Sequence, residues 1–166
     1  DYLLHLYYGA RTAGEMGYLL SYADRGFSGN PYSAEMDRTY SLDALPQEYP
    51  SLGTGDFRNF VLNIENADGS QCCDPVYVSH KITKGKYNLS GLPAVRAGEN
   101  EAETLEILLA DPNTNMEIHL LYGVLEKEDI ITRSVIIKNA GEASVTIRKA
   151  QSACLDFLHG DYDLIK

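Results

Sequence analysis

Glu117-Ile118-His119-Leu120-Leu121-Tyr122-Gly123-Val124-Leu125 alternates with period two: Ile118, Leu120, Tyr122 and Val124 share one face and His119 points to the other. That is the pattern of a half-buried strand. The same reading extends outward. Over 104–109, Leu105, Ile107 and Leu109 oppose Thr104 and Glu106; over 130–137, Ile131, Val135 and Ile137 oppose Thr132 and Ser134; over 144–149, Val145 and Ile147 oppose Thr146 and Arg148. Turn chemistry separates the runs at Asp111-Pro112-Asn113, Glu126-Lys127-Glu128-Asp129 and Asn139-Ala140-Gly141. Strands at about ten-residue spacing joined by short turns predict an all-β, antiparallel β-sandwich. Its interior should hold Leu105, Ile107, Leu120, Tyr122, Val135, Ile137 and Val145.

Earlier strands are expected at 3–8, 18–22, 60–65 and 76–82, with Asn66-Ala67-Asp68-Gly69 as a hairpin turn between the last two. Nothing sustains a 3.6 period, so little helix is expected, less than about a fifth of the residues. Twelve tyrosines suit strands that bury one face and wet the other.

The 166 residues fit one domain. A net charge of −10 leaves no basic footprint for nucleic acid. No apolar run reaches the ~20 residues that cross a bilayer. Asp1-Tyr2-Leu3-Leu4-His5 lacks the basic region of a signal peptide and reads as the middle of an element. Three cysteines, two of them adjacent at 72 and 73, do not make a disulfide scaffold, and the expected compartment is a reducing cytoplasm.

Most familiar chemistry is missing. His5, His80, His119 and His159 are scattered, and Cys72-Cys73 lacks the spacer of a zinc clip. Asp111-x-Asn113-x-Asn115 starts like a calcium loop but has Met116 where glycine is needed and Tyr122 where glutamate is needed. Gly53-Thr54-Gly55-Asp56 lacks the Lys-Ser/Thr of a phosphate loop. No metal, cofactor or catalytic residue is therefore assigned.

The stretch 24–58 stands apart, with Gly26, Gly29, Pro31, Pro46, Pro50, Gly53 and Gly55 among Asp, Arg and Tyr. It reads either as a long surface loop or as a segment with a task. Asp43, Glu48 and Asp56 lie near each other in sequence, but 24 acidic residues make such proximity uninformative about a catalytic pair. Asp43, Glu48, Tyr49, Asp56 and Arg58 are the candidate functional residues of this stretch, being types that hydrogen-bond hydroxyls or stack on a ring face. Arg58 could equally pair with Asp56 or Glu48 and hold the loop.

Four segments carry a resemblance. They are Asp37-Arg38-Thr39-Tyr40-Ser41-Leu42-Asp43-Ala44-Leu45-Pro46-Gln47-Glu48-Tyr49 running on to Gly53-Thr54-Gly55-Asp56-Phe57-Arg58; Ser79-His80-Lys81-Ile82 with Gly91-Leu92-Pro93-Ala94; Ala102-Glu103-Thr104-Leu105-Glu106-Ile107; and the run from Asp129 to Asn139. Together they are similar to the N-terminal domain of glycoside hydrolase family 36 α-galactosidases, or melibiases, over nearly the whole chain. The resemblance implies a β-supersandwich spanning 1–166 that precedes a (β/α)₈ barrel absent from this chain. The barrel's two aspartates would remove terminal α-linked galactose from melibiose, raffinose and stachyose with retention. The family's nucleophile lies in a Lys-Trp-Asp segment, and this chain has no Trp, so the chain alone is expected to be inactive. Implied partners are its own barrel, neighbouring subunits of a homo-oligomer, often a tetramer in which N-terminal loops reach a neighbour's active site, and the α-galactoside. A stand-alone carbohydrate-binding or oligomerisation module is the alternative.

Overall fold

The computed structural model describes residues 2–20, 41–156 and 161–163. Among the described residues, six strands form two antiparallel sheets. β2 (Val76–Lys84), β3 (Glu103–Ala110), β4 (Met116–Leu125) and β5 (Ile130–Asn139) follow one another as a four-stranded meander. β1 (Leu62–Glu65) pairs with β6 (Thr146–Ala150) in a second, two-stranded sheet. Among the described residues, helix is limited to 3₁₀ turns at Gly17–Leu19 and Glu126–Glu128. The all-β sandwich expected from the alternation is what the chain adopts.

The meander is set by local chemistry. Asp111, which is buried, accepts hydrogen bonds from the Asn113 amide (2.9 Å) and the Thr114 hydroxyl (2.9 Å), while Asn115 takes the left-handed conformation that asparagine tolerates. This reverses the chain so that Leu109 faces Ile118 and Ile107 faces Leu120 in register. Asn139 does the same beyond β5, accepting the Gly141 amide at 3.0 Å and donating to the Ala143 carbonyl at 2.7 Å. His119, on the outer face, meets Glu106 across the strands at 2.8 Å.

The core lies between the sheets. Leu62 and Ile64 of β1 join Leu109, Met116, Ile118 and Leu120 of the meander, with Tyr49, Val61 and Cys73. Of the expected interior, Leu120 is wholly buried; Ile107, Tyr122, Val135, Ile137 and Val145 are partly buried against this cluster, and Leu105 is partly buried outside it. Ile131 and Ile147 are about half exposed, 48% and 50%. Ile131 lies on the four-stranded sheet, which the two-stranded sheet is too narrow to cover.

Three expectations need correction. Asn66–Gly69 does turn, with Gly69 at φ 83° and its amide bonded to the Asn66 carbonyl at 2.9 Å, yet it joins strands of different sheets. Burying Leu62 and Ile64 against β3 and β4 outweighs a local β1–β2 pairing. Among the described residues, the stretch 3–8 makes one bridge, Leu4 to Gln47, flanked by His5 N–H to Pro46 O (2.7 Å) and Glu48 N–H to Leu3 O (3.0 Å). Its partner segment contains Pro46 and Pro50, which cannot donate to a ladder. The described part of 18–22 is the exposed 3₁₀ turn; its last two residues lie outside the described residues.

Candidate functional site in the 41–58 loop

Residues 41–58 carry no strand, yet most are buried, including the polar Ser41, Gln47, Glu48, Ser51, Thr54 and Asp56. Residues 24–40 of the same sequence feature lie outside the described residues. Polar groups withdrawn from water must find partners, and here the partners define the loop. Pro50 O accepts the Val61 amide at 3.0 Å, Leu52 O accepts the Cys73 amide at 3.1 Å, and Ser51 donates to Cys73 O at 2.5 Å. Gly53 takes φ 104°, and a β-carbon there would stand 2.8 Å from the Cys72 Cα, so both conformation and space call for glycine.

Asp56 and Arg58 come together. The carboxylate accepts the Arg58 amide (3.0 Å) and Nε (3.0 Å) on Oδ1, and Arg58 Nη2 (2.9 Å) and Gln47 Nε2 (2.8 Å) on Oδ2. Four donors fill its acceptor sites. Burial pushes the Asp56 carboxyl upward, but the Arg58 hydrogen bonds and charge and the Gln47 amide outweigh it, so the pKa falls below the ordinary value. Arg58 also donates to Leu42 O (3.1 Å) and Leu45 O (2.5 Å) and reaches Asp156 at 3.4 Å. The guanidinium thus fastens three parts of the chain while its side chain remains 40% exposed.

Glu48 faces another way. It meets His5 Nδ1 at 3.1 Å, accepts the Tyr122 hydroxyl, and lies 3.4 Å from Arg133 Nη2. The Arg133 guanidinium lies with its nitrogens buried over the Tyr122 ring, 4.1 Å from the centroid, and none of them makes a well-aligned hydrogen bond. Charge and the ring face hold it instead. Burial drives the Tyr122 hydroxyl pKa far above normal, against the opposing charge of Arg133. Tyr49 is inside the core; its hydroxyl donates to Gln151 O at 3.0 Å, and burial raises its pKa to about 12. Asp43 is half-buried and accepts the Ser41 hydroxyl. Of the five candidates, then, Asp56 and Arg58 form one unit, Glu48 anchors the loop to β4 and β5, and Tyr49 and Asp43 lie apart. Sequence reading missed Gln47, His5 and Arg133. Arg133 had a visible signal: a charged residue on the inward face of an alternating strand needs a buried partner.

The family model for the glycosyl hydrolase family 36 N-terminal domain matches residues 1–166. The chain belongs to that family. Among curated proteins it is 64% identical over 165 residues to the bifunctional alpha-galactosidase/sucrose kinase AgaSK of Mediterraneibacter gnavus, covering 99% of this chain and 18% of that protein. It is 42% identical over 166 residues to alpha-galactosidase AgaA of Geobacillus stearothermophilus, covering 99% of this chain and 22% of that one. The family 36 domain also superposes on the galactosidase domain of AgaSK with a TM-score of 0.89 and 67% identity, over 94% of this chain and 22% of the other. An AgaA variant in complex with stachyose matches with a TM-score of 0.86 and 42% identity, over 92% and 21%. The chain therefore spans about a fifth of the length of the proteins it matches.

Proposed function

We propose that this domain serves a full-length α-galactosidase that cleaves terminal α-linked galactose from melibiose- and raffinose-type substrates, and that it does so without catalysis of its own. It supports the barrel and the oligomer, and its 41–58 loop helps shape the sugar pocket. The observation that carries this reading is the whole-length match to a family 36 N-terminal domain at a fifth of the length of α-galactosidases. The loop supports it physically. A half-exposed guanidinium, held in place by a buried carboxylate locked as an anion, is a ready-made partner for sugar hydroxyls. In this reading Arg58 faces the sugar, Asp56 fixes Arg58 in position, Asp43 borders the pocket, and Glu48 and Tyr49 tie the loop to the sheets. A cytoplasmic enzyme fits the three free thiols.

The test is steady-state kinetics of Asp56→Ala and Arg58→Ala in the full-length enzyme, with circular dichroism and sizing as controls. Both should lower kcat/KM for galactosides, because contacts remote from the reacting bond help orient it. Unchanged kinetics in a correctly assembled enzyme would remove the loop from the pocket. The isolated domain should not turn over a nitrophenyl α-galactoside.

A further inference from the structure

The 41–58 loop hides its polar groups and displays an apolar one. Asp56 is 5% exposed and Arg58 is tied down on either side of Phe57, whose ring is 84% exposed, the most exposed large apolar side chain among the described residues. A Phe ring in water is unfavourable. A backbone clamped by a bidentate ion pair cannot swing it inward. The Arg58–Asp156 contact at 3.4 Å brings the stretch containing Leu155, 55% exposed, to the same clamp. Rigidly presented aromatic side chains are what protein interfaces use as anchors.

We propose that Phe57, supported by Leu155, is the apolar anchor by which this domain docks on the catalytic domain of the α-galactosidase. The occupant is argued from length: about four-fifths of each matched protein lies outside the region this chain matches. A ring and an aliphatic side chain brought to one clamp make an apolar patch of the kind that another protein surface covers. The Asp56–Arg58 pair then has a second use, holding the anchor at a fixed angle. This inference rests on the domain reading above, but not on the loop touching substrate.

Phe57→Ser and Leu155→Ser in the full-length enzyme test it, with Phe57→Leu as the apolar rescue. Loss of a central anchor shifts a docking equilibrium by about tenfold or more. Phe57→Ser should therefore speed proteolytic cleavage between this domain and the catalytic domain by about tenfold, and Leu155→Ser by less, while Phe57→Leu restores most of the protection. The same Phe57→Ser change in the 166-residue chain should leave its thermal unfolding unchanged, because the ring is solvent-exposed there. Unaltered proteolysis in the full-length Phe57→Ser enzyme would overturn the proposal. So would a loss that appears only as a raised KM for longer galactosides with Phe57→Leu failing to rescue, which would make the ring a sugar platform. If Asp56→Ala kinetics are unchanged while Phe57→Ser uncouples the domains, docking stands and the pocket reading falls.

Discussion

The β2–β5 meander and the 41–58 loop both bury side chains to a few per cent exposure, yet by different physics. The meander does it with apolar side chains on a repeating backbone ladder, so Ile118 and Leu120 are wholly buried by pattern alone. The loop has no ladder and buries Gln47, Glu48, Ser51 and Asp56, each satisfied by a specific partner atom, within the loop for Gln47 and Asp56 and outside it for Glu48 and Ser51. A core of the first kind tolerates local change in proportion to volume lost. One of the second kind depends on single atoms, because an unpartnered buried polar group costs more than its bond contributed.

The comparison is sharpened most by the core. Leu120→Ala should destabilise the domain by about 3 kcal/mol, through lost transfer energy plus a residual cavity. Urea unfolding followed by circular dichroism measures it, and a cost below ~1 kcal/mol would show the interior to be loosely packed.

Asp56→Asn comes next. It breaks an ion pair whose carboxylate is nearly buried and whose Arg58 side chain is 40% exposed. Screening at the Arg58 end reduces the cost of breaking a buried pair to about 1–2 kcal/mol. The pH dependence separates this from a packing effect. The folded Asp56 pKa lies below its ordinary value of 3.8. Its contribution is therefore fully present above pH ~4 and lost as pH falls through the folded value. Wild type and Asp56→Asn should differ at pH 6 and converge in acid. Glu106, whose pKa is lowered chiefly by its hydrogen bond to Lys81, titrates in both proteins and cancels in the difference. A difference independent of pH would break the assignment.

The smallest effect belongs to the exposed sheet surface. Arg148 meets Glu65 across β6 and β1 through Nε at 3.0 Å and Nη2 at 2.5 Å. Both side chains remain in contact with water, so Arg148→Ala should cost no more than about 0.5 kcal/mol and less still in high salt. A larger loss would mean that the small sheet depends on surface charge rather than on Leu62 and Ile64.

Legibility followed the same division. Strands β3, β4 and β5 were readable because alternation is local: each residue's face follows from its neighbour's. The extra sheet was not, because the turn at Asn66–Gly69 specifies a reversal and says nothing about which strand lies next to β1. In the loop, Pro46, Pro50 and Gly53 marked a rigid, irregular segment, and the pairing of Arg58 with Asp56, two residues apart, was among the options that sequence proximity left open. The bonds from Gln47 to Asp56 and from Tyr122 to Glu48 were not legible, and neither was the exposure of Phe57 between two immobilised residues.

By itself, the sequence determined an all-β chain, the positions and inward faces of the main strands, and, through its motifs, the family 36 resemblance. Only the tertiary structure decided that β1 pairs with β6, that Glu48 and Asp56 serve two separate networks, and that Arg133 lies buried against a tyrosine ring. The reason is range. Periodicity and turn chemistry act within a few residues. A buried charge is placed by whichever partner the completed fold brings to it, 74 residues away in the case of Tyr122 and Glu48.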